Sequence, residues 1–181
     1  MHEETNTANL LGAAALALSD VVVAEATRAA STSSSGAAAL VVLSTDPGLS
    51  VTELGRRVGL SQSAAARMVD GLEKQGLVRK EASWGAWVRL QLSDLGAQAA
   101  HTLLACRSDV LRQALSRLDD GEREQLGQLL GKVLTGLYRQ PGDAERICRL
   151  CDRRACIRDG ATCPVGQADR DHRASHEHDH G

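Results

Sequence analysis

Aromatic residues are almost missing from this 181-residue chain, which has no phenylalanine, one tyrosine and two tryptophans. Hydrophobic residues still make up 43% of the sequence, which is enough to build a core. That core must consist of leucine, valine and alanine, and these residues favour helices over a sheet sandwich. The length fits one domain with a small appendage.

The signatures of several enzyme classes are also missing. The sequence has no glycine-rich phosphate loop, no nucleophile elbow and no His-Glu metal motif. Its net charge of −2 argues against a protein that coats nucleic acid without selectivity. We therefore expect that the protein is not an enzyme.

A secretory signal is not expected, because the chain reads His-Glu-Glu at positions 2–4, where such a signal needs positive charge. Ser19-Asp20 interrupts the apolar stretch that starts at Leu10, so the sequence predicts no membrane span. We expect a cytoplasmic protein. In that reducing compartment, four cysteines within sixteen residues are better explained as metal ligands or redox thiols than as disulfides.

Residues 50–76 have the pattern of two short helices joined by a turn. Ser50 and Glu53 give a capping-box signature for the first helix, and Gly59 ends it. Ser61 is a natural N-cap for the second helix, which has an apolar face. Its residues are Ala65, Met68, Val69 and Leu72. The opposite face should be exposed and able to read a DNA groove. The DNA-reading residues predicted there are Ser61, Gln62, Ser63 and Arg67.

After Gly76 the apolar pattern changes to a period of two, in stretches 77–80 and 87–92 around a tip that contains Gly85. This pattern predicts a β-hairpin, the wing of a winged helix-turn-helix. Residues 51–92 contain seven basic and four acidic side chains, so the basic excess lies where DNA would bind. The wing cations expected to contact the DNA backbone are Arg79, Lys80 and Arg89.

The run LSQSAAARMVDGLEKQGLVRK at 60–80 and the LQLSDLG at 90–96 resemble the MarR family of bacterial winged-helix regulators. The resemblance implies a homodimer whose second helix enters the major groove of double-stranded DNA and whose wing reaches the minor groove. It also implies an effector pocket between the dimerisation helices and the winged domain. Trp84-Gly85-Ala86 stands where family wings carry an acidic residue followed by arginines, so the minor-groove arginine has no counterpart here.

The predicted fold is mainly α with a small β-wing, in which dimerisation helices flank the winged helix-turn-helix. Residues 1–34 are expected to form an N-terminal dimerisation helix, 35–93 the DNA-binding domain, 94–140 the C-terminal dimerisation helices, and 141–181 a Cys/His-rich tail. A homodimer is favoured over a monomer, because the apolar faces of the first and last helices exceed what so small a module can cover.

The tail contains the spacing C-x2-C-x4-C-x6-C, formed by Cys148, Cys151, Cys156 and Cys163. Four thiolates complete a structural zinc site, so we expect zinc, with an iron–sulfur cluster or metal-free redox thiols as alternatives. So polar a tail should need a metal or a cross-link to stay folded. The histidines at its end are expected to form a flexible, weak metal-binding tail.

Three functions remain open from the sequence. The favoured one is a sequence-specific DNA-binding transcriptional regulator, a repressor by the family's commoner mode, with a metal or redox response as an added hypothesis. The second is a zinc-dependent interaction module that uses the winged helix as a docking surface. The third is a thiol redox enzyme centred on Cys148 and Cys151.

Overall fold

The computed structural model describes residues 2–82 and 88–178, with side chains described for 5–82 and 88–175. Helices dominate these residues and one two-stranded sheet accompanies them, which confirms the predicted fold class. The elements in chain order are α1 His2–Ala30, α2 Ser34–Thr45, α3 Val51–Val58, α4 Gln62–Lys74, β1 Val78–Ala82, β2 Val88–Leu92, α5 Asp94–Ala114, α6 Asp120–Leu137, α7 Asp143–Ile147, α8 Arg153–Cys156, a 3-10 turn Arg158–Gly160, and α9 Pro164–His178.

Helices α3 and α4 form the expected helix-turn-helix. Ser50 and Ser61 cap their N-termini, each hydroxyl accepting a hydrogen bond from a backbone N–H three residues along the chain. Gly59 ends α3 with φ at 78°, a conformation that costs glycine little. A Cβ added to Gly55 would lie 2.6 Å from the Cβ of Ala65, so the absence of a side chain there lets the two helices pack closely.

The core lies between α2, the helix-turn-helix, the wing and α5. In α4 the predicted apolar face is buried at Ala65, Val69 and Leu72. In α5 the buried positions are Gly96, Ala100 and Leu103, which recur at helical spacing. The apolar periodicity predicts Leu95 on this face, but it is 55% exposed, because it lies one residue, and hence a quarter turn, away from Gly96.

The wing is an antiparallel pair in which Val78 lies opposite Leu92 and Ala82 opposite Val88. Leu90 is fully buried and forms a bridge with Leu49, so the wing is tied to the segment that precedes α3. The tip at 83–87, which holds both tryptophans, lies outside the described residues.

Helix α1 runs from His2 to Ala30 and includes Ser19-Asp20, and this polar pair does not shorten its apolar stretch below membrane length as the sequence suggested. The segment Thr5–Ala30 is long and apolar enough to cross a membrane, and 6% of its most apolar window is buried within the chain. This criterion uses only the length and composition of the helix, and a helix buried against a partner protein would also meet it. Ala26 and Ala30, in the last turns of α1, belong to the core.

Helix α6 begins at a capping box, in which the Asp119 and Glu122 side chains each accept a hydrogen bond from the other's backbone N–H. None of its residues is buried within the described chain. Its exposed large apolar residues lie at helical spacing and are Leu129, Leu130, Val133 and Leu137. An exposed stripe of this kind is typical of a surface that another surface covers.

The described part of the tail contains three α-helices and a 3-10 turn. Helix α9 continues to His178 and packs against α6 and α7. The Tyr138 hydroxyl at the end of α6 donates to Asp169 Oδ1 at 2.9 Å, and its ring meets the His172 ring edge-on with centroids 5.8 Å apart. Burial and then the Asp169 carboxylate raise the pKa of Tyr138 to about 12. Val165 is fully buried, so one apolar side chain and a polar cluster anchor this helix.

Candidate nucleic-acid interface and cysteine cavity

The predicted reading face of α4 is exposed at Ser61, Gln62, Ser63 and Arg67. The Ser61 hydroxyl caps the helix and lies 3.4 Å from the Ser63 hydroxyl, so these two groups are preorganised at the N-terminal tip. Arg67 forms no ion pair with any side chain described in 5–82 and 88–175. Its guanidinium is therefore available to an external acceptor such as a base edge or a phosphate.

Lys80 on the wing has a different environment from the one expected. Its Nζ lies 2.7 Å from Asp70 Oδ1 and 2.8 Å from Glu73 Oε2, both on α4. The two carboxylates raise the pKa of Lys80, and Lys80 lowers that of Asp70. This lysine therefore ties the wing to the reading helix, a role that spacing alone did not indicate.

The two arginines of α3 are also engaged within the chain. Arg56 and Arg57 both bond Glu53, at 2.8 Å in each case, and Arg57 bonds Asp46 at 2.6 Å. Hydrogen bonds from Arg56 and then Arg57 lower the pKa of Glu53 to about 2. Of the seven basic residues counted between 51 and 92, those without a salt bridge in the described chain are Arg67, Lys74, Arg79 and Arg89.

The four tail cysteines line a single cavity of about 240 Å³. Cys148 caps the end of α7 and a turn places Cys151 beside it. Helix α8 then carries Cys156, and the left-handed turn at 159–160 returns the chain to Cys163 at the start of α9. All four are free cysteines. The short helices thus bring together cysteines that lie as far as fifteen residues apart in the sequence.

The charge around these thiols is uneven. The Cys148 thiol donates to Cys151, which lowers the pKa of Cys151 to about 6 and raises that of Cys148. Arg107 on α5 contributes to the lowering, with its Nη2 3.9 Å from the Cys151 sulfur. Burial raises the pKa of Cys156. The Cys148 thiol and Arg107 therefore both favour the charged form of Cys151.

Residues 143–163, which include all four tail cysteines and are called the cysteine segment from here on, also contact the helix-turn-helix directly. Glu145 on α7 accepts from Arg56 Nη2 at 3.2 Å, and Arg153 on α8 donates to Asp46 Oδ2 at 3.0 Å. Because Asp46 also holds Arg57, one carboxylate bridges α3 and the cysteine segment. No sequence pattern indicated this docking, since the partners are separated by 89 and 107 residues.

A second cavity, of about 380 Å³, lies between α2, α5 and the cysteine segment. His101, Arg153 and Arg154 supply cationic or polar groups to its lining, and Asp152 supplies one carboxylate. Cys151 borders both cavities. A ligand here would therefore contact the cysteine segment as well as the winged domain.

The capped helix pair, the paired strands that follow it and the exposed face of α4 define a winged helix-turn-helix protein. The chain matches the MarR family model over residues 33–84. It is 30% identical over 109 residues to the transcriptional repressor MprA of Escherichia coli K12. That match covers 58% of this chain and 62% of the relative, so the chain spans less than two thirds of the relative's length.

Solved structures share the same fold. YusO from Bacillus subtilis aligns with a TM-score of 0.64 at 22% identity, covering 73% of this chain and 94% of its own. MepR from Staphylococcus aureus, a regulator of the multidrug efflux pump MepA, gives 0.64 at 14% identity, covering 72% and 98%. The Mycobacterium tuberculosis MarR family protein Rv2887, solved in complex with salicylic acid, gives 0.52 at 26% identity, covering 68% and 95%.

Proposed function

We propose that this protein is a sequence-specific transcriptional regulator that binds double-stranded DNA, and that it acts as a repressor. The observation that carries the proposal is the exposed face of α4, where Arg67 has no ion-pair partner in the described chain while the arginines of α3 do. An exposed, unpaired arginine on the second helix of this motif is placed to read the major groove. The E. coli relative, a transcriptional repressor, supports the same mode.

The active form is a homodimer. The exposed stripe of α6 and the largely unburied α1 leave more apolar surface uncovered than a monomeric chain of this size normally carries. A second copy that covers both surfaces would bury them, and it would also place the membrane-length helix α1 inside a cytoplasmic dimer. Two-fold symmetry then presents two copies of α4 to a pseudo-palindromic site.

The dimer is tested by sedimentation equilibrium of the full chain. Wild-type protein should have twice the chain mass, and Leu129→Glu should be monomeric because it puts a charge in the apolar stripe. Gln128→Glu adds the same charge one residue away, outside that stripe, and should remain dimeric. A monomeric wild-type protein, or recovery of the chain in the membrane fraction, would contradict the assignment.

DNA binding is tested by gel shift and footprinting on the DNA upstream of the protein's own coding region. We expect two protected half-sites about 10 base pairs apart and an affinity that falls steeply with salt. The monomeric Leu129→Glu variant should bind far more weakly than Gln128→Glu. Equal binding of operator and scrambled DNA would contradict sequence-specific regulation, and would favour the winged helix as a docking surface for another protein.

The cavity of about 380 Å³ is the proposed effector site, and its arginines suit a small anionic ligand. Salicylate is a reasonable probe, because the Rv2887 protein was solved with salicylic acid. Calorimetric titration should detect binding that Arg154→Ala weakens and Arg158→Ala, which lies outside this cavity, does not. Identical titrations of both variants and wild type would exclude this cavity.

A thiol redox enzyme is the remaining alternative, favoured only by the low pKa of Cys151 beside Cys148. A thiol–disulfide exchange assay separates it from a regulator. Turnover that disappears in Cys148→Ser while DNA binding is absent would support the enzyme and exclude the regulator.

A further inference from the structure

Four cysteines line the cysteine cavity, and DNA binding by the winged helix-turn-helix does not require them. A closed zinc site requires its four thiolates to converge on one ion, each about 2.3 Å from it. Within the described parts of the chain, no three Cys, His, Asp or Glu side chains are grouped so as to hold one metal ion. The four cysteines instead surround a cavity of about 240 Å³.

An iron–sulfur cluster has different requirements. The protein supplies four cysteine thiolates distributed over the irons, and inorganic sulfide completes the coordination of each iron. The cysteines must then enclose a space and need not meet at a point. We propose that Cys148, Cys151, Cys156 and Cys163 bind an iron–sulfur cluster, in place of the zinc ion expected from their number.

The charges around the cavity support this assignment. Thiolates and cluster sulfides bring negative charge, and Arg153 and Arg170 line the cavity to offset it. Arg107 lies 3.9 Å from the Cys151 sulfur, and the backbone N–H of Gly166 donates to the Cys163 sulfur at 3.5 Å. Hydrogen bonds to ligand sulfurs of this kind tune cluster stability and potential. A cysteine that is still protonated releases its S–H proton to solvent when its sulfur binds iron.

The site is positioned to control the proposed DNA-binding function, on which this step rests. The segment that carries Cys148 and Cys151 is fastened to α3 and its N-terminal flank by the Arg56–Glu145 and Arg153–Asp46 pairs. A polar segment that loses its cluster is less ordered, because fixing each of its residues costs backbone entropy that few apolar contacts here offset. Release would break the Arg56–Glu145 and Arg153–Asp46 pairs, leaving Arg56 bonded to Glu53 and Asp46 to Arg57, and so alter the support of the helix that holds α4.

The test uses full-length protein purified without oxygen from iron-supplied cells, or reconstituted with Fe²⁺, sulfide and a thiol reductant. The expected result is a brown protein with iron and acid-labile sulfide in nearly equal amounts. Cys156→Ser, at the most exposed of the four, should lose both elements while circular dichroism reports the α-helical body intact. Cys106→Ser on α5 removes the fifth cysteine, which does not line the cavity, and should keep the cluster.

The same preparations are then compared in gel shifts. Removing the cluster with a chelator should weaken operator binding by roughly threefold to tenfold, the effect of losing two partly exposed ion pairs. One zinc per chain without sulfide, or four freely titrating thiols without metal, would overturn the cluster. A cluster-loaded protein that ignores all DNA would leave the cluster standing and overturn the regulator.

Discussion

Helices α3 and α4 both carry exposed arginines, yet the structure gives them opposite roles. Arg56 and Arg57 in α3 bond Glu53, Asp46 and Glu145 and hold the surrounding elements together. Arg67 in α4 forms no ion pair in the described chain. A basic residue in a DNA-binding motif is therefore not a sign of a DNA contact until its internal partners are known.

The largest expected effect contrasts these two helices directly. Arg67→Ala should reduce discrimination between operator and random DNA by ~1–3 kcal/mol if the guanidinium contacts a base bidentately. Arg56→Ala should leave discrimination unchanged, because Arg56 is held by Glu53 and Glu145. Fluorescence anisotropy with both DNAs measures the difference. An equal loss of affinity for both DNAs in Arg67→Ala would show that Arg67 contacts a phosphate. Arg67 would then not read the base sequence, and the proposed difference from Arg56 would be wrong.

The ion pairs of α3 should also be visible in the pH dependence of stability. Glu53 has a folded-state pKa of about 2, below its ordinary 4.5, because Arg56 and Arg57 hydrogen-bond its charged form. Its contribution is therefore present above pH 4.5 and lost as pH falls towards 2. Since its side chain is 34% exposed, solvent screening limits the contribution to about 1 kcal/mol.

Urea unfolding between pH 6 and 3 measures this contribution. Glu53→Gln should lower the free energy of unfolding at pH 6 and flatten its decline towards pH 3. The control Glu81→Gln alters an exposed wing carboxylate without a salt bridge in the described chain and should follow wild type. Parallel curves for Glu53→Gln and wild type would mean that these pairs contribute nothing measurable.

The smallest effect distinguishes two of the three wing cations, Arg89 and Lys80. Arg89→Ala should flatten the slope of log affinity against log salt by about one unit, as expected for one lost phosphate contact. Lys80→Ala should change the slope less, because Lys80 is neutralised by Asp70 and Glu73. Salt titrations of both variants at constant temperature decide this. A larger change in salt slope for Lys80→Ala than for Arg89→Ala would instead support the sequence-based expectation that Lys80 contacts the DNA backbone.

Local chemistry determined much of this protein. Ser50 and Ser61 cap the helices predicted to start beside them, and Gly59 ends α3, since capping depends on neighbours within four residues. The period-two apolar pattern placed both strands of the wing within one or two residues. The cysteine spacing identified a candidate ligand set, because four thiols so close in sequence seldom form structural disulfides in a reducing compartment.

The tertiary structure decided which charges are free, where the tail docks and how the cysteines are arranged. Lys80 is engaged by Asp70 and Glu73, and Asp46 is shared by Arg57 and Arg153 across as many as 107 residues of sequence. No local pattern encodes such pairs, because an ion pair depends on which surfaces meet after packing. For the same reason, cysteine spacing could not show whether the four sulfurs converge on one ion or line a cavity. Spacing limits how far apart the cysteines can lie, but it does not fix where their side chains point.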